Sequence, residues 1–271
     1  MGASISYLSW TTYRENVVNI HDPGRLIQQS YYAGRVLDRS AEGQSRAWNP
    51  WPWNPIQGGG VGSWANVRKF EKERDGRLYA ETIPKLWDMP DEDAEAVMRQ
   101  WTGLEPGLRN VVVVRCELEC LRQENDRWGP GIPRHQELPA LYFTRNFGTY
   151  RSYLGDGQWR DEARAPGSPW HAVRPPLNVM ACFNREGQGI AVFSPVATER
   201  WNFGPHGAGN SAEATDASCV HLAPIASVEL GARAKLRYRY WMVVGTEEEI
   251  GESIDVLLEK YGEERVELVD P

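Results

Sequence analysis

The sequence predicts an all-β fold: a large antiparallel β-sandwich, supersandwich or jelly-roll like, with one or two short helices at its periphery. Three observations carry this expectation. Apolar and polar residues alternate in segment after segment, the period of a strand with one buried face. Clusters of Gly, Pro and Asn separate those segments as turns would. Aromatic residues are abundant and skewed toward large amphipathic rings, with 12 Trp and 11 Tyr against 6 Phe.

Taken in order, "ASISYLSW" alternates and runs on into "TTYRENVVNI". "GRLYAETIPKLW" reads as a strand. "NVVVVRCELECLRQE" is the longest candidate: Val112, Val114, Cys116, Leu118 and Cys120 share one face, and Arg115, Glu117, Glu119 and Leu121 take the other. "ALYFTRNF", "NVMACFNREGQGIAVFSP" and "AKLRYRYWMVVG" add further strands. "NREGQG" supplies a hairpin turn inside the second of these. Two helices are expected. "DMPDEDAEAVMRQWTGL" has Pro90 near its start and acidic residues in its first turn. "GTEEEIGESIDVLLEKYGEE" repeats Ile250, Ile254, Leu257 and Leu258 at helical spacing. Thr246 is its expected N-cap, with Glu249 completing a capping box. No linker, repeat or low-complexity tract divides the chain, so residues 1–271 are expected to form one domain.

Composition narrows the function. The chain is 41% hydrophobic and 25% charged, as a folded globular protein is. A formal charge of -7 and the lack of a basic run argue against a nucleic-acid partner. No apolar run is long enough to span a bilayer, so no membrane partner is expected. The start lacks the basic and apolar regions of a signal peptide. The protein is expected either to be secreted or periplasmic, its leader absent from this chain, or to be cytoplasmic. The four cysteines have no disulfide-scaffold or zinc spacing and read as buried thiols; no metal and no cofactor is expected.

Three segments hold the chemistry. "NIHDPGRLIQQSYY" offers His21, Asp22, Arg25, Gln28, Gln29, Tyr31 and Tyr32. If it is extended, Arg25, Gln29 and Tyr31 point into a groove, while Gln28 and Ser30 face the sheet behind. "SRAWNPWPWNPIQGGGVGSW" offers Trp48, Trp51, Trp53, Asn54 and Gln57 on a proline-stiffened loop that is not expected to be a central strand. Its glycines permit close backbone approach. "PRHQELPALYF" adds His135 and Glu137 at the mouth of a strand. Flat rings beside amides, a guanidinium and phenols describe a saccharide subsite, and the expected partner is a polysaccharide or oligosaccharide. His171, His206 and His221 have no motif but lie within reach of the same cleft. "QGGGVG" lacks the Lys-Ser/Thr of a phosphate loop.

The segments "GASISYLSW…NVVNIHDPGRLIQQSYY", "NVMACFNREGQGIAVFSP" and "LRYRYWMVVGTEEEI" resemble the opening and late strands of galactose-mutarotase-like β-sandwich proteins. The resemblance implies a supersandwich and a carbohydrate ligand. It places no catalytic Glu and His pair on particular positions here.

The residues admit three activities. A polysaccharide lyase needs Arg, Gln or Asn to neutralise a uronate carboxylate and Tyr or His to take the proton. Arg25, Gln29 and Tyr31, with His21 or His135, supply these. A glycoside hydrolase needs two carboxyl groups, and Asp22 with Glu137 is the available pair. The third class is a mutarotase-like epimerase or a non-catalytic sugar-binding protein. Elimination is the leading expectation.

Overall fold

The computed structural model describes residues 1–60, 62–163, 171–206 and 219–269. Two large antiparallel sheets pack face to face as a β-sandwich. The smaller has seven strands in the order His171–Val173, Arg200–His206, Cys219–Glu229, Pro133–Thr144, Gln28–Ser30, Pro55–Ile56, Lys85–Leu86. The larger has ten. Its path runs Gln158–Asp161, Thr149–Gly155, Val179–Phe183, Gln188–Phe193, Lys235–Thr246, Val111–Cys120, Ala96–Leu104, Leu78–Ile83, Asn66–Lys72. Glu267–Val269 pairs with Lys235–Thr246 off that path.

The core lies between the sheets and follows the period-2 pattern. From the larger sheet, Val114, Cys116, Leu118 and Cys120 turn inward. From the smaller, Leu141, Phe143, Trp201, Phe203, Val220 and Leu222 meet them. All four cysteines are free and buried. The Glu247–Tyr261 helix begins in the capping box expected from its sequence. The Thr246 hydroxyl accepts the Glu249 N–H, and the Glu249 side chain accepts the Thr246 N–H. The helix buries Ile250, Ile254 and Leu257 on the outer face of the larger sheet, against Val111, Val179, Phe193 and Trp241. Each such side chain contributes about 1.5–3 kcal/mol of burial. No helix among the described residues is long and apolar enough to cross a membrane.

Three expectations fail. The second helix does not form: Ala96–Leu104 is a strand between Val111–Cys120 and Leu78–Ile83. Met98 and Gln100 point inward while Arg99 and Trp101 point out, and two paired edges outweigh the helical start signals. The first twenty residues form isolated bridges, Ile5 with Ile27 and Val18 with Phe143 among them, rather than strands. The proline-rich loop does contribute to sheets. Trp51–Trp53 pairs with Ala33–Leu37 in a separate ribbon, and Pro55–Ile56 lies inside the seven-stranded sheet. Pro55 is tolerated there because its carbonyl, not an N–H, meets the neighbour: it accepts the Tyr31 N–H at 3.3 Å.

Candidate active site

The short Gln28–Ser30 strand sits between Pro133–Thr144 and Pro55–Ile56 near the middle of the smaller sheet. Ile27, Gln29, Tyr31 and Ala33 alternate onto its inner side. Ile27, Tyr31 and Ala33 belong to the core, and the two aliphatic residues fix which side goes in. The expected orientation is therefore reversed. Tyr31 is fully buried and donates to Gln29 Oε1 at 2.8 Å. Gln29 Nε2 reaches across the sandwich to the Arg99 carbonyl at 3.1 Å, and Gln57 Oε1 accepts the Gln29 N–H at 3.1 Å. Burial pushes the Tyr31 phenol well above its ordinary value. Gln29 thus ties the two sheets together, with Tyr31 and Gln57 bonded to it on the smaller sheet's side. Trp53 joins them in the core, with the Arg122 guanidinium 5.4 Å from its ring centre.

The outer side bears Gln28, Ser30 and Tyr32, which line a cavity of about 140 Å³. Water's share of liquid volume is about 30 Å³, so the space suits one small ring. Trp48, Trp51 and Trp87 wall it. Trp48 meets Trp51 edge-on at 5.1 Å and Trp87 at 5.6 Å between ring centres. Asn54 sets this wall: its Oδ1 accepts the Trp51 indole N–H at 3.1 Å, and its Nδ2 donates to the Tyr31 carbonyl at 2.7 Å. Gly24 is required beneath Trp87, because a Cβ there would stand 2.4 Å from the indole ring.

Glu137, Ala140 and Tyr142 form the floor from the Pro133–Thr144 strand. Strict alternation would put Glu137 and Tyr142 on opposite faces. A register irregularity between Glu137 and Leu141 supplies the extra residue that brings both to the cavity. Behind them lies His221, fully buried. Its Nδ1 is 3.1 Å from the Leu141 carbonyl, which can only accept, so that nitrogen carries hydrogen. Nε2 lies 3.5 Å from Glu137 Oε1. Tyr142 lies against His221, the rings tilted by 32° with centres 4.4 Å apart, and meets His206, another cavity residue, at 5.6 Å.

Gln28 is the most informative member. Its Oε1 accepts the Gly58 N–H at 2.8 Å and the Ser4 hydroxyl at 3.3 Å, which assigns the amide orientation. Gly58 must be glycine for this, since a Cβ would lie 2.6 Å from that same oxygen. Nε2 remains buried with no hydrogen-bond partner among the described residues, on a side chain that lines the cavity. An orphaned buried donor is costly unless a ligand or water takes it.

Arg25 adds a positive charge, its Nε 3.1 Å from Asp22 Oδ2. Burial, then Arg25 and His221, push His206 down from 6.5 to about 4, so its imidazole is neutral at ordinary pH. Burial and the nearby Glu137 carboxylate raise the Tyr32 phenol far above its usual range, and the same two causes raise Tyr142. Both hydroxyls keep their protons.

Of the residues named from sequence, Arg25, Trp48, Trp51, Asn54, Glu137 and His206 line this cavity. Tyr31, Gln29, Gln57 and Trp53 do not, being held in the interior. Asp22 is turned back into its own loop, accepting the Gly24 N–H at 2.9 Å as well as pairing with Arg25. His21 is exposed and outside the cavity. His135 is exposed in a neighbouring groove of about 400 Å³ that also touches Tyr32. His171 lies on the sheet's edge strand, edge-on to Phe203. Gln28 was expected to face the sheet behind and Tyr32 to pack at its edge, and Trp87 and Tyr142 were not anticipated. For the first two, the register of Ile27 and Ala33 was the available signal. Among the described residues no cluster of three His, Cys, Asp or Glu is placed to hold a metal.

No protein-family model and no curated protein matches the chain. Among solved structures, a heparan sulfate lyase HepC mutant from Pedobacter heparinus is similar at 7% identity and a TM-score of 0.37. The similarity covers 68% of this chain and 22% of that one. At that level the likeness carries no argument about activity.

Proposed function

We propose that residues 1–271 act as a single carbohydrate-active domain that cleaves an acidic saccharide by β-elimination at a uronic acid, as a polysaccharide lyase does. The observation that carries this reading is the spare Gln28 Nε2 donor in a one-ring cavity that Arg25 also lines and tryptophans wall. A uronate carboxylate is the group two such donors fit, and its neutralisation makes the C5 proton acidic. Neutral His206 takes that proton. The electron pair left on C5 forms the C4–C5 double bond, and the C4–oxygen bond breaks. The protonated Tyr142 phenol supplies the proton that the leaving oxygen needs. Glu137, backed by His221, accepts a hydrogen bond from a ring hydroxyl.

Hydrolysis fits less well. Glu137 is the sole carboxylate among the described residues lining the cavity, and Asp22 is engaged by Arg25. A glycosidase needs two carboxyl groups flanking the bond. The expected result with a panel of uronate polymers is a rise in ultraviolet absorbance from the unsaturated product. It should be abolished by Arg25→Ala and reduced about 10²–10⁴-fold by His206→Gln. New reducing ends without that absorbance, lost in Glu137→Gln, would replace elimination by hydrolysis. Anomer interconversion without cleavage would point to the epimerase reading.

A further inference from the structure

The outer face of the ten-stranded sheet is covered by the helix at one end and open at the other. On the open part, side chains form rows running across the strands. One row alternates in charge: Glu81, Arg99, Glu117, Arg237 and Glu267 are successive cross-strand partners. Arg99 pairs with Glu81 at 3.0 Å and with Glu117 at 2.8 Å. Arg237 pairs with Glu117 at 2.6 Å and with Glu267 at 3.4 Å.

The adjacent row breaks that rule. Tyr79, Trp101, Arg115 and Arg239 are successive partners, so two arginines stand directly opposite each other. Like charges in that position repel. Arg239 is neutralised by Glu264 and flanked by the Trp241 and Tyr261 rings. Arg115 has no carboxylate partner among the described residues. Its guanidinium lies 5.1 Å from the Trp101 ring centre, and Trp101 stands 5.0 Å from Tyr79. Trp101, Arg115, Arg239, Tyr261 and Glu264 border a groove of about 620 Å³, within the roughly 300–1,000 Å³ usual for ligand sites.

We propose that this groove is a second binding site, separate from the cavity on the other sheet, for an acidic saccharide chain. A sugar ring stacks on Trp101 and its carboxylate or sulfate is held by Arg115. The stacked guanidinium is already oriented, so little freedom is lost on binding. That the groove takes an anion follows from the uncompensated Arg115. That the anion is on a saccharide rests on the proposed function.

The test uses the full chain in affinity gels containing polygalacturonate, dextran sulfate or neutral dextran. Trp101→Ala and Arg115→Gln should each weaken retention by one or both acidic polymers about tenfold, the scale of a lost charged hydrogen bond. Neutral dextran should retain neither variant nor the parent, and turnover of a short uronate oligosaccharide should be unchanged. Retention by polygalacturonate alone assigns carboxylates, and by dextran sulfate alone sulfates. Undiminished retention of the double variant overturns the site. So does a single-stranded oligonucleotide held as strongly and lost in the same variants, which would make the groove a nucleic-acid surface. If the parent turns over no polymer and yet loses retention with Trp101, the reaction proposed above fails and this site stands.

Discussion

Inside the sandwich, Gln29 and Tyr31 hydrogen-bond to each other, and Gln29 reaches the Arg99 carbonyl of the opposite sheet. Two ångström-scale steps away, on the outer face of the same strand, Gln28 and Tyr32 face a cavity, and the Gln28 Nε2 donor has no partner among the described residues. Both sides carry an amide and a phenol. They differ in whether the polar atoms are matched within the protein. Matched polar groups between two sheets lock register and specify the core. A buried donor left unmatched beside a void is a place prepared for something else to bind. Residue type does not separate these roles. Buried donors without a partner among the described residues also occur in the core, at Trp53 Nε1 and Gln57 Nε2; what marks Gln28 is that its unmatched donor sits on a side chain lining the cavity.

The widest separation between the faces is expected at the tryptophans. Trp53 is fully buried in the core, whereas Trp51 lies half-buried on the cavity wall. Trp53→Ala should destabilise by about 3–5 kcal/mol, the range for emptying a large aromatic site. Trp51→Ala should cost well under half of that and weaken saccharide binding instead. Denaturant unfolding and binding of a uronate oligosaccharide measure both. Equal stability losses would erase the distinction between wall and core.

A smaller contrast is expected one hydroxyl at a time. Tyr31→Phe leaves the buried Gln29 Oε1 without its donor and should cost about 1–3 kcal/mol. Turnover per folded molecule should persist. Tyr32→Phe removes a hydroxyl from the cavity and should leave stability nearly intact while lowering turnover or affinity. If Tyr31→Phe proves the inactive variant, the strand is functionally facing inward and the cavity is misassigned.

Much of this was legible in the sequence. Period-2 alternation gave Leu78–Ile83, Val111–Cys120, Val179–Phe183, Gln188–Phe193 and Lys235–Thr246 of the larger sheet but not Ala96–Leu104, and Thr246 with Glu249 gave the helix start, because both are local rules. The aromatic loop, Arg25 and Glu137 stood out because rings, a guanidinium and a carboxylate are rare in such density. What could not be read was parity. A strand of three residues, polar on both sides, says little about its own orientation; Ile27 and Ala33 settle it through contacts distant in sequence. The Glu137 bulge likewise moves one carboxylate across a sheet by a single extra residue. His206 and His221 are brought together by the pairing of Arg200–His206 with Cys219–Glu229, which no spacing motif announces.

The smallest expected effect is a pH dependence that belongs to the outer face alone. His206 is pushed from 6.5 down to about 4 by burial and by Arg25 and His221. Tyr142 and Cys219 also pack at this position, and Glu137 is the carboxylate beside them. Above pH 6.5 the imidazole is neutral in folded and unfolded chains alike, so it contributes no pH dependence. As the pH falls through 6.5, the unfolded chain takes up the proton first and stability declines. Below about 4 the folded chain is protonated too, and the decline from this group stops. The unfolding free energy of the parent should therefore fall more steeply between these two values than that of His206→Gln. The same shift sets the acid limb of turnover. A base that stays neutral down to about 4 should hold kcat/KM nearly level through pH 5 to 6. An acid limb near 6.5 in the parent, with no difference in the stability slopes, would mean that His206 is solvated as an ordinary surface histidine and is not the base of this cavity.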